Sequence, residues 1–345
     1  MIPFILDMET SDPDDFLTLL FLLGHPQVDL RAVTITPGTW EQVGLVRQAL
    51  AWFDRSDITV GTYNIAHPKD CVSRWHYKAF PQLEKVLSQS DYPGWEVLEN
   101  LFNVVTTLVC GAPLKNLGAL LSRRIAFREA GGRGLPGLGR AFIQGGFAGE
   151  GVVPPEKQLE KFRGRTTCPT FNLNGDPEST LRVLNNHRQF QDLRFVSKNV
   201  CHGVRYDSEL HARFEQHLCA SHQVCNCPCH TQILLHDRSC CDTCPRCGVR
   251  VSTPLDRTAL SQTLIHQGMT QYLAHHPDGK AFHDPLAACC AIDPSVGEWA
   301  EVELYRSSKG GEWGSYLLDG SGVRIITGYD PERFVRNLLG GGPRD

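Results

Sequence analysis

A mainly parallel β-sheet with helices on both faces is the architecture expected of these 345 residues. Two observations lead there. Short apolar runs alternate with segments of helical period, the pattern of strand–helix–strand units. The composition, 41% hydrophobic and 21% charged, is that of a globular chain long enough for one large domain.

The elements follow in order. The run "PFIL" (3–6) suits a buried strand, and "FLTLLFLLGH" (16–25) has helical spacing with Gly24 as a stop. "LRAVTIT" (30–36) reads as the second strand, "WEQVGLVRQALAWF" (40–53) as the second helix and "ITVGTY" (58–63) as the third strand. Helices are expected at about 95–108, 115–124 and 177–186, with strands near 140–144 and 193–197. The segments 207–218, 257–276, 284–292 and 331–339 read as helices, and "EVELYR" (301–306) and "VRIITG" (323–328) as closing strands. Two glycine-rich loops, 129–140 and 147–158, separate these units, and no internal repeat is visible.

The charge balance excludes several classes. The formal net charge is −4 and no basic block exceeds Arg123-Arg124, so no face for nucleic acid is expected. No run of 18 apolar residues occurs, so no membrane span is expected. The start "MIPFILD" lacks a basic leader and a small-residue cleavage site, and the expected location is the cytoplasm.

Chemistry concentrates after the first strand. Between residues 7 and 15 lie five carboxylates: Asp7, Glu9, Asp12, Asp14 and Asp15. In a parallel sheet, ligands bind beyond the C-terminal ends of strands. Crowded carboxylates repel one another unless a cation compensates, and oxygen donors select hard ions such as Ca²⁺ or Mg²⁺. Helix capping by Asp12 or Asp14 is the plainer alternative, but it occupies one or two acids rather than five. A second signal, His283-Asp284-Pro285, opens a distant apolar segment. Asp284 alone would read as a helix cap followed by proline; paired with the first loop, it supplies a further ligand and His283 an adjacent proton donor.

These stretches resemble the inosine–uridine preferring nucleoside hydrolase family. "DMETSDPDD" is similar to its opening Asp-x-Asp-Pro-Gly-x-Asp-Asp, and "HDPLAA" to its late His-Asp-Pro. "VTITPGT", "CGAPLKNLGALL", "FIQGGF" and "PTFNLNGDPEST" resemble further family segments in the family's order. The resemblance implies an eight-stranded mixed sheet flanked by helices, a small-molecule ribosyl substrate, one catalytic Ca²⁺ and hydrolysis of a ribosyl N-glycosidic bond. By carry-over, Glu9, Asp15, Asp284 and the carbonyl of Gly111 hold the calcium. Glu9 doubles as general base, with Asp12 as the alternative ligand, because the first motif has one extra residue. Asp14 and Asn172 hold ribose hydroxyls, and His283 is the general acid. Thr39 and Thr170 stand where the family carries an asparagine and a glutamate in its substrate site. Thr170 removes a negative charge on the sugar's 5′ side, and Arg163 and Arg165 precede it, so a 5′-phosphate is expected to be tolerated. Alternatives are a haloacid-dehalogenase-like phosphoryl transferase, suggested by "DMET", and a non-catalytic relative that binds protein. A homo-oligomer is left open.

The remaining signal is cysteine. Eight of the 14 cysteines fall between Cys219 and Cys247. With no secretion signal expected, a zinc-binding insertion at 219–251 within the single 1–345 domain is the first reading. Cys244 and Cys247 form one half-site, and Cys225, Cys227, Cys229 and His230 offer the other for a structural Zn²⁺. Elemental analysis of purified protein should find zinc, and Cys244→Ser with Cys247→Ser should lower it. A chain whose cysteines are paired as disulfides when freshly isolated would contradict this.

Overall fold

The computed structural model describes residues 1–220 and 256–342. The expected zinc ligands Cys225, Cys227, Cys229, His230, Cys244 and Cys247 lie outside the described residues, as does nearly all of the insertion.

The first half builds β1 (Ile2–Met8), α1 (Pro13–Gly24), β2 (Val28–Ile35), α2 (Trp40–Trp52), β3 (Thr59–Thr62), α3 (Arg74–Ala79), β4 (Tyr92–Pro93), α4 (Gly94–Leu101), β5 (Thr107–Cys110), α5 (Lys115–Glu129) and β6 (Leu138–Gln144). Then come β7 (Thr167–Cys168), α6 (Phe171–Gly175), α7 (Pro177–Asn185), β8 (Phe190–Val196), α8 (Lys198–Cys201), β9 (Arg205–Tyr206) and α9 (Ser208–Ala220). Beyond the insertion follow α10 (Arg257–Leu273), β10 (Lys280–Ala281), α11 (His283–Ile292), β11 (Gly297–Arg306), β12 (Trp313–Leu317), β13 (Val323–Tyr329) and α12 (Pro331–Leu338).

Among the described residues, eleven strands form one sheet in the order β4-β3-β2-β1-β5-β6-β8-β13-β11-β12-β7. Strands β4 through β13 in that order pair in parallel, whereas β11, β12 and β7 add antiparallel pairings at one edge. The mixed, helix-flanked sheet is as expected; its strand count is not. The excess over eight consists of β4 and β7, two residues each, and β12 of five residues. β4 and β7 are the two edges and β12 lies next to one of them; all three have weak sequence signals.

Side-chain alternation on β1 divides the core. Phe4, Leu6 and Met8 enter a hydrophobic cluster with α1, α2, α10 and α11, whereas Ile5 enters another with α4 and α5. A strand's two faces point oppositely, so Asp7, in phase with Ile5, is directed toward α5. Strand order reverses around β1, where the chain runs out to β4 and returns to β5. Crevices at such reversals are where ligands bind in open parallel sheets.

One expected element was misread. The helix placed at 95–108 ends at Leu101, and Thr107–Cys110 is a buried strand beside β1. Asn103 turns the chain: its side chain accepts from the Val105 amide at 3.1 Å and its carbonyl from the Thr106 amide at 2.9 Å. The β-branched run Val104–Thr107 then favours extended backbone over helix. Among the described residues, no helix is long and apolar enough to cross a membrane.

Candidate active site

The loop after β1 is fixed from outside itself. The Gln42 side chain, near the start of α2, accepts from the amides of Gly38 and Thr39, both at 2.9 Å. Its amide group donates to the Thr10 hydroxyl at 2.9 Å, which in turn donates to the Cys71 carbonyl at 2.8 Å. Nε2 of buried His76 lies 2.9 Å from the Thr10 carbonyl oxygen. Thr39, the N-cap of α2, is committed to a capping box with Gln42. It helps to shape the loop but does not line the cleft that the loop borders.

That cleft, of about 320 Å³, is lined by Glu9, Asp12, Asp14, Asp15 and Asp284 with Gly111, Gln144, Thr170, Asn172, Lys198, His202 and His283, among others. The carboxylates of Asp14, Asp15 and Asp284 are buried and each offers an oxygen within 4.8 Å of the others. Glu9 borders the same cleft but stands outside this tight trio.

Helix capping does not account for the acids in the way sequence suggested. Asp12 occupies the N-cap of α1, yet its side chain makes no capping bond. Instead it meets the Lys280 ammonium at 2.9 Å, and Asp14 meets the same ammonium at 3.0 Å. The other Asp14 oxygen accepts from the backbone amides of His283 and Asp284, at 3.0 and 3.3 Å. Asp14 therefore caps α11 from a distant part of the chain, and Asp284 lies inside that helix's first turn rather than before it. Two helix N-termini, of α1 and α11, thus meet at the acid group, where their dipoles favour negative charge.

Local compensation is incomplete. Burial, then repulsion from Asp284, Glu9 and Asp14, pushes the Asp15 carboxyl well above its ordinary value. The Glu9 amide, donating to Asp15 at 3.0 Å, opposes this. Asp284 is likewise pushed well up, by burial and then Asp14. Burial raises Glu9 to about 7, with Asp12 and Asp14 adding to the shift and a bond with Ser11 opposing it. Burial alone would depress the Lys280 ammonium, but Asp14 and Asp12 hold it above its usual range.

Asp7 plays a separate part. It is fully buried on the α5 side, accepting from the Thr34 hydroxyl at 2.8 Å, the Asn116 amide group at 2.9 Å and the Cys110 thiol at 3.4 Å. Burial raises it to about 6 against the pull of those three bonds. Its own carbonyl receives the Gly111 amide at 2.8 Å, which ties β1 to the turn after β5.

Gly111 must be small. A Cβ there would lie 2.6 Å from the Asp284 carboxyl carbon. Its carbonyl accepts from the Asn172 side-chain amide at 2.9 Å, and that amide group also reaches the Gln144 side-chain oxygen at 2.8 Å. Among the described residues, Asn172 Oδ1 and Thr170 Oγ1 are buried without a hydrogen-bond partner. His283 lines the cleft, its ring 4.6 Å from that of His202. Burial and then Lys280 lower it to about 4.

The structure thus brings Glu9, Asp14, Asp15, Gly111, Thr170, Asn172, His283 and Asp284 to one cleft. Arg163 and Arg165 do not line it; both are exposed, and Arg163 pairs with Glu160 at 2.8 Å. Sequence reasoning missed Lys280, Gln144, Lys198 and His202. Lys280 sits three residues before His283 and was within reach of that motif, and Gln144 lies inside "FIQGGF"; Lys198 and His202 carry no local signal.

Replacing one acid by its neutral isostere isolates the repulsion. A raised folded pKa means stability present below the unfolded value, about 3.9 for Asp, and lost as pH rises through the folded value. In chelator-treated protein, Asp15→Asn should therefore melt higher than wild type at neutral pH, with the gain shrinking toward pH 4. Thermal scans across that range check this, and an equal or lower melting temperature at pH 7.5 would contradict it.

Sequence and structure comparisons point the same way. A sequence model described as inosine-uridine preferring nucleoside hydrolase matches residues 4–336. An uncharacterized protein of Aquifex aeolicus (strain VF5) is 27% identical over 317 residues, covering 90% of this chain and 89% of its own. A plant nucleoside hydrolase, PpNRh1, superposes with a TM-score of 0.60 at 17% identity, over 98% of this chain and 97% of its own. A purine-preferring ribonucleoside hydrolase from Gardnerella vaginalis gives 0.62 at 13%, with the same coverage of 98% and 97%. An inosine-uridine preferring nucleoside hydrolase from Bacillus anthracis gives 0.59 at 14%, over 99% of both chains.

Proposed function

This chain belongs to the inosine-uridine preferring nucleoside hydrolase family, and from that premise we propose that it hydrolyses the N-glycosidic bond of a ribonucleoside or related ribosyl compound. The observation that carries the proposal is the convergence of Asp14, Asp15 and Asp284 in a cleft that also contains Glu9 and Asn172.

The donor set fits a hard divalent cation. It consists of oxygens only, it is buried, and its charge exceeds what Lys280 balances. Asp15, Asp284 and the Gly111 carbonyl would hold one Ca²⁺, with Glu9 or Asp14 completing the protein ligands. Bound there, such an ion supplies Lewis acidity toward water and a grip on two adjacent sugar hydroxyls.

The chain's own groups supply the rest. Glu9, which borders the acid group and the water that a cation would hold there, is placed to accept a proton from that water. The buried, unpartnered Asn172 Oδ1 is an acceptor for a sugar hydroxyl, because its amide nitrogen is already committed to Gly111 and Gln144. Asp14, fixed by Lys280 and the start of α11, presents its charge to the diol. As the C1′–N bond breaks, its electron pair leaves with the base and positive charge grows on the ring, which the surrounding carboxylates stabilise. Water's oxygen bonds to C1′ and one of its protons passes to Glu9; the departing base takes a proton from solvent, and Glu9 returns its own to solvent, so that one water is added in all. His283, lowered to about 4, is neutral at pH 7 and steadies the departing base through a hydrogen bond rather than as a standing acid. The retained Asp14, Asp15, Asn172 and Asp284 argue against a non-catalytic relative.

Release of reducing sugar from inosine, uridine, their 2′-deoxy analogues and their 5′-monophosphates, with calcium present, tests the proposal. Ribosyl compounds should be cleaved and deoxyribosyl ones poorly, because half of the diol is gone. Asp284→Asn should lower turnover by roughly a hundredfold or more. No sugar release from any ribosyl compound would contradict the reading.

A further inference from the structure

The cleft has a second electrostatic character that hydrolysis of a neutral nucleoside does not use. Lys198 and His202 line it together with the acids. Lys161 adjoins them, its ammonium 2.9 Å from His202 Nδ1. Both ammonium groups stand near the Phe162 ring, Lys161 at 5.2 Å and Lys198 at 6.0 Å from its centre. Lys198 thus lines the cleft, and Lys161 stands just outside it, beside His202 and Phe162.

Neither lysine neutralises the acid group. Among the described residues, the acids' ion pairs go to Lys280, and no carboxylate lies within 4 Å of either the Lys161 or the Lys198 ammonium. Lys198, which borders a cleft with five carboxylates and pairs with none of them, is left for another anion, and Lys161 adds positive charge from behind His202. His202 feels the same surplus: after burial, the charges of His283, Lys161, Lys198 and Lys280 lower it to about 3.

Next to this wall sits an unmet donor. Thr170 is only 3% exposed, lines the cleft, and its hydroxyl has no partner. The Lys198 ammonium reaches the carbonyl of Pro169, the residue before it, at 2.8 Å. That contact uses one of three ammonium hydrogens and holds the charge beside Thr170. A positive group next to a buried free hydroxyl is a recognition pair for phosphate oxygen.

From this arrangement, and resting on the N-ribosyl hydrolase reading above, we propose that the substrate is a ribonucleoside 5′-monophosphate, its phosphate held by Lys198 and Thr170, with the neutral His202 beside them and the Lys161 charge behind it forming the basic wall. The diol lies at the acid group and the phosphate, on the sugar's exocyclic carbon, at the basic wall. Water adds across the C1′–N bond, the base leaves with the electron pair and a proton, and ribose 5-phosphate remains with its ester intact. The sequence had pointed to Arg163 and Arg165 for this task; the structure assigns it to lysines instead.

The test compares kcat/KM for inosine and uridine with those for their 5′-monophosphates, read as base release in calcium-containing buffer. Wild type should favour the monophosphates by about tenfold or more, the scale of one charge-assisted hydrogen bond. Lys198→Gln should cut that ratio by about tenfold, and Lys198→Arg should recover most of it. Nucleosides cleaved as well as monophosphates, with the ratio unmoved in Lys198→Gln, would overturn the proposal and leave N-ribosyl hydrolysis standing. If no compound releases base, the hydrolase reading fails, and calorimetric titration with ribose 5-phosphate and ribose decides this one. Tighter binding of the phosphate, lost in Lys198→Gln, supports it; equal binding of the two sugars overturns it.

Discussion

Burying several carboxylates together at the end of a parallel sheet is the constraint on which the rest of this molecule turns. Each buried charge is costly without a partner, and five acids border one cleft. The fold meets part of that cost with features far apart in sequence. Lys280 bridges Asp12 and Asp14, and the opening amides of α11 take the other Asp14 oxygen. Asp15 receives the Glu9 amide, but among the described residues no cation pairs with Asp15 or Asp284, and both carboxyls are pushed toward the protonated form. A divalent cation resolves the same problem without protons, which is why site and fold are energetically one question here.

The supports around the cleft read as consequences. Gly111 gives Asp284 room, and Asn172 fixes the Gly111 carbonyl while keeping its own oxygen free. Gln42, Thr10 and His76 hold a loop that like charges would otherwise push apart. Lys161 and Lys198 are kept off the carboxylates, so the cleft carries both signs of charge in separate places. A substrate with a neutral diol and a remote anion matches that division better than a neutral one.

Much of this was legible in the sequence, for physical reasons. The acid loop and His283-Asp284 are dense local signals, and alternating apolar runs fix the parallel core. What escaped was of three kinds. Strand β5 was read as helix because an apolar stretch after a helix has no period that separates the two; the turn at Asn103 decided it. Lys198 and His202 are isolated residues whose meaning comes only from the fold that gathers them, and Gln144 lay inside "FIQGGF" with no role assigned to it. The short strands β4, β7 and β12 owe their state to pairing rather than to local propensity. Thr39 illustrates the reverse error: a motif position correctly found, but committed to capping α2 rather than lining the cleft.

The most direct measurement is calorimetric titration of calcium into chelator-treated protein near pH 6, repeated in two buffers of different ionisation enthalpy. If buried acids hold protons until a cation replaces them, one ion binds per chain and the two buffers differ by the heat of released protons. An absence of binding, or binding with no proton release, would contradict the account.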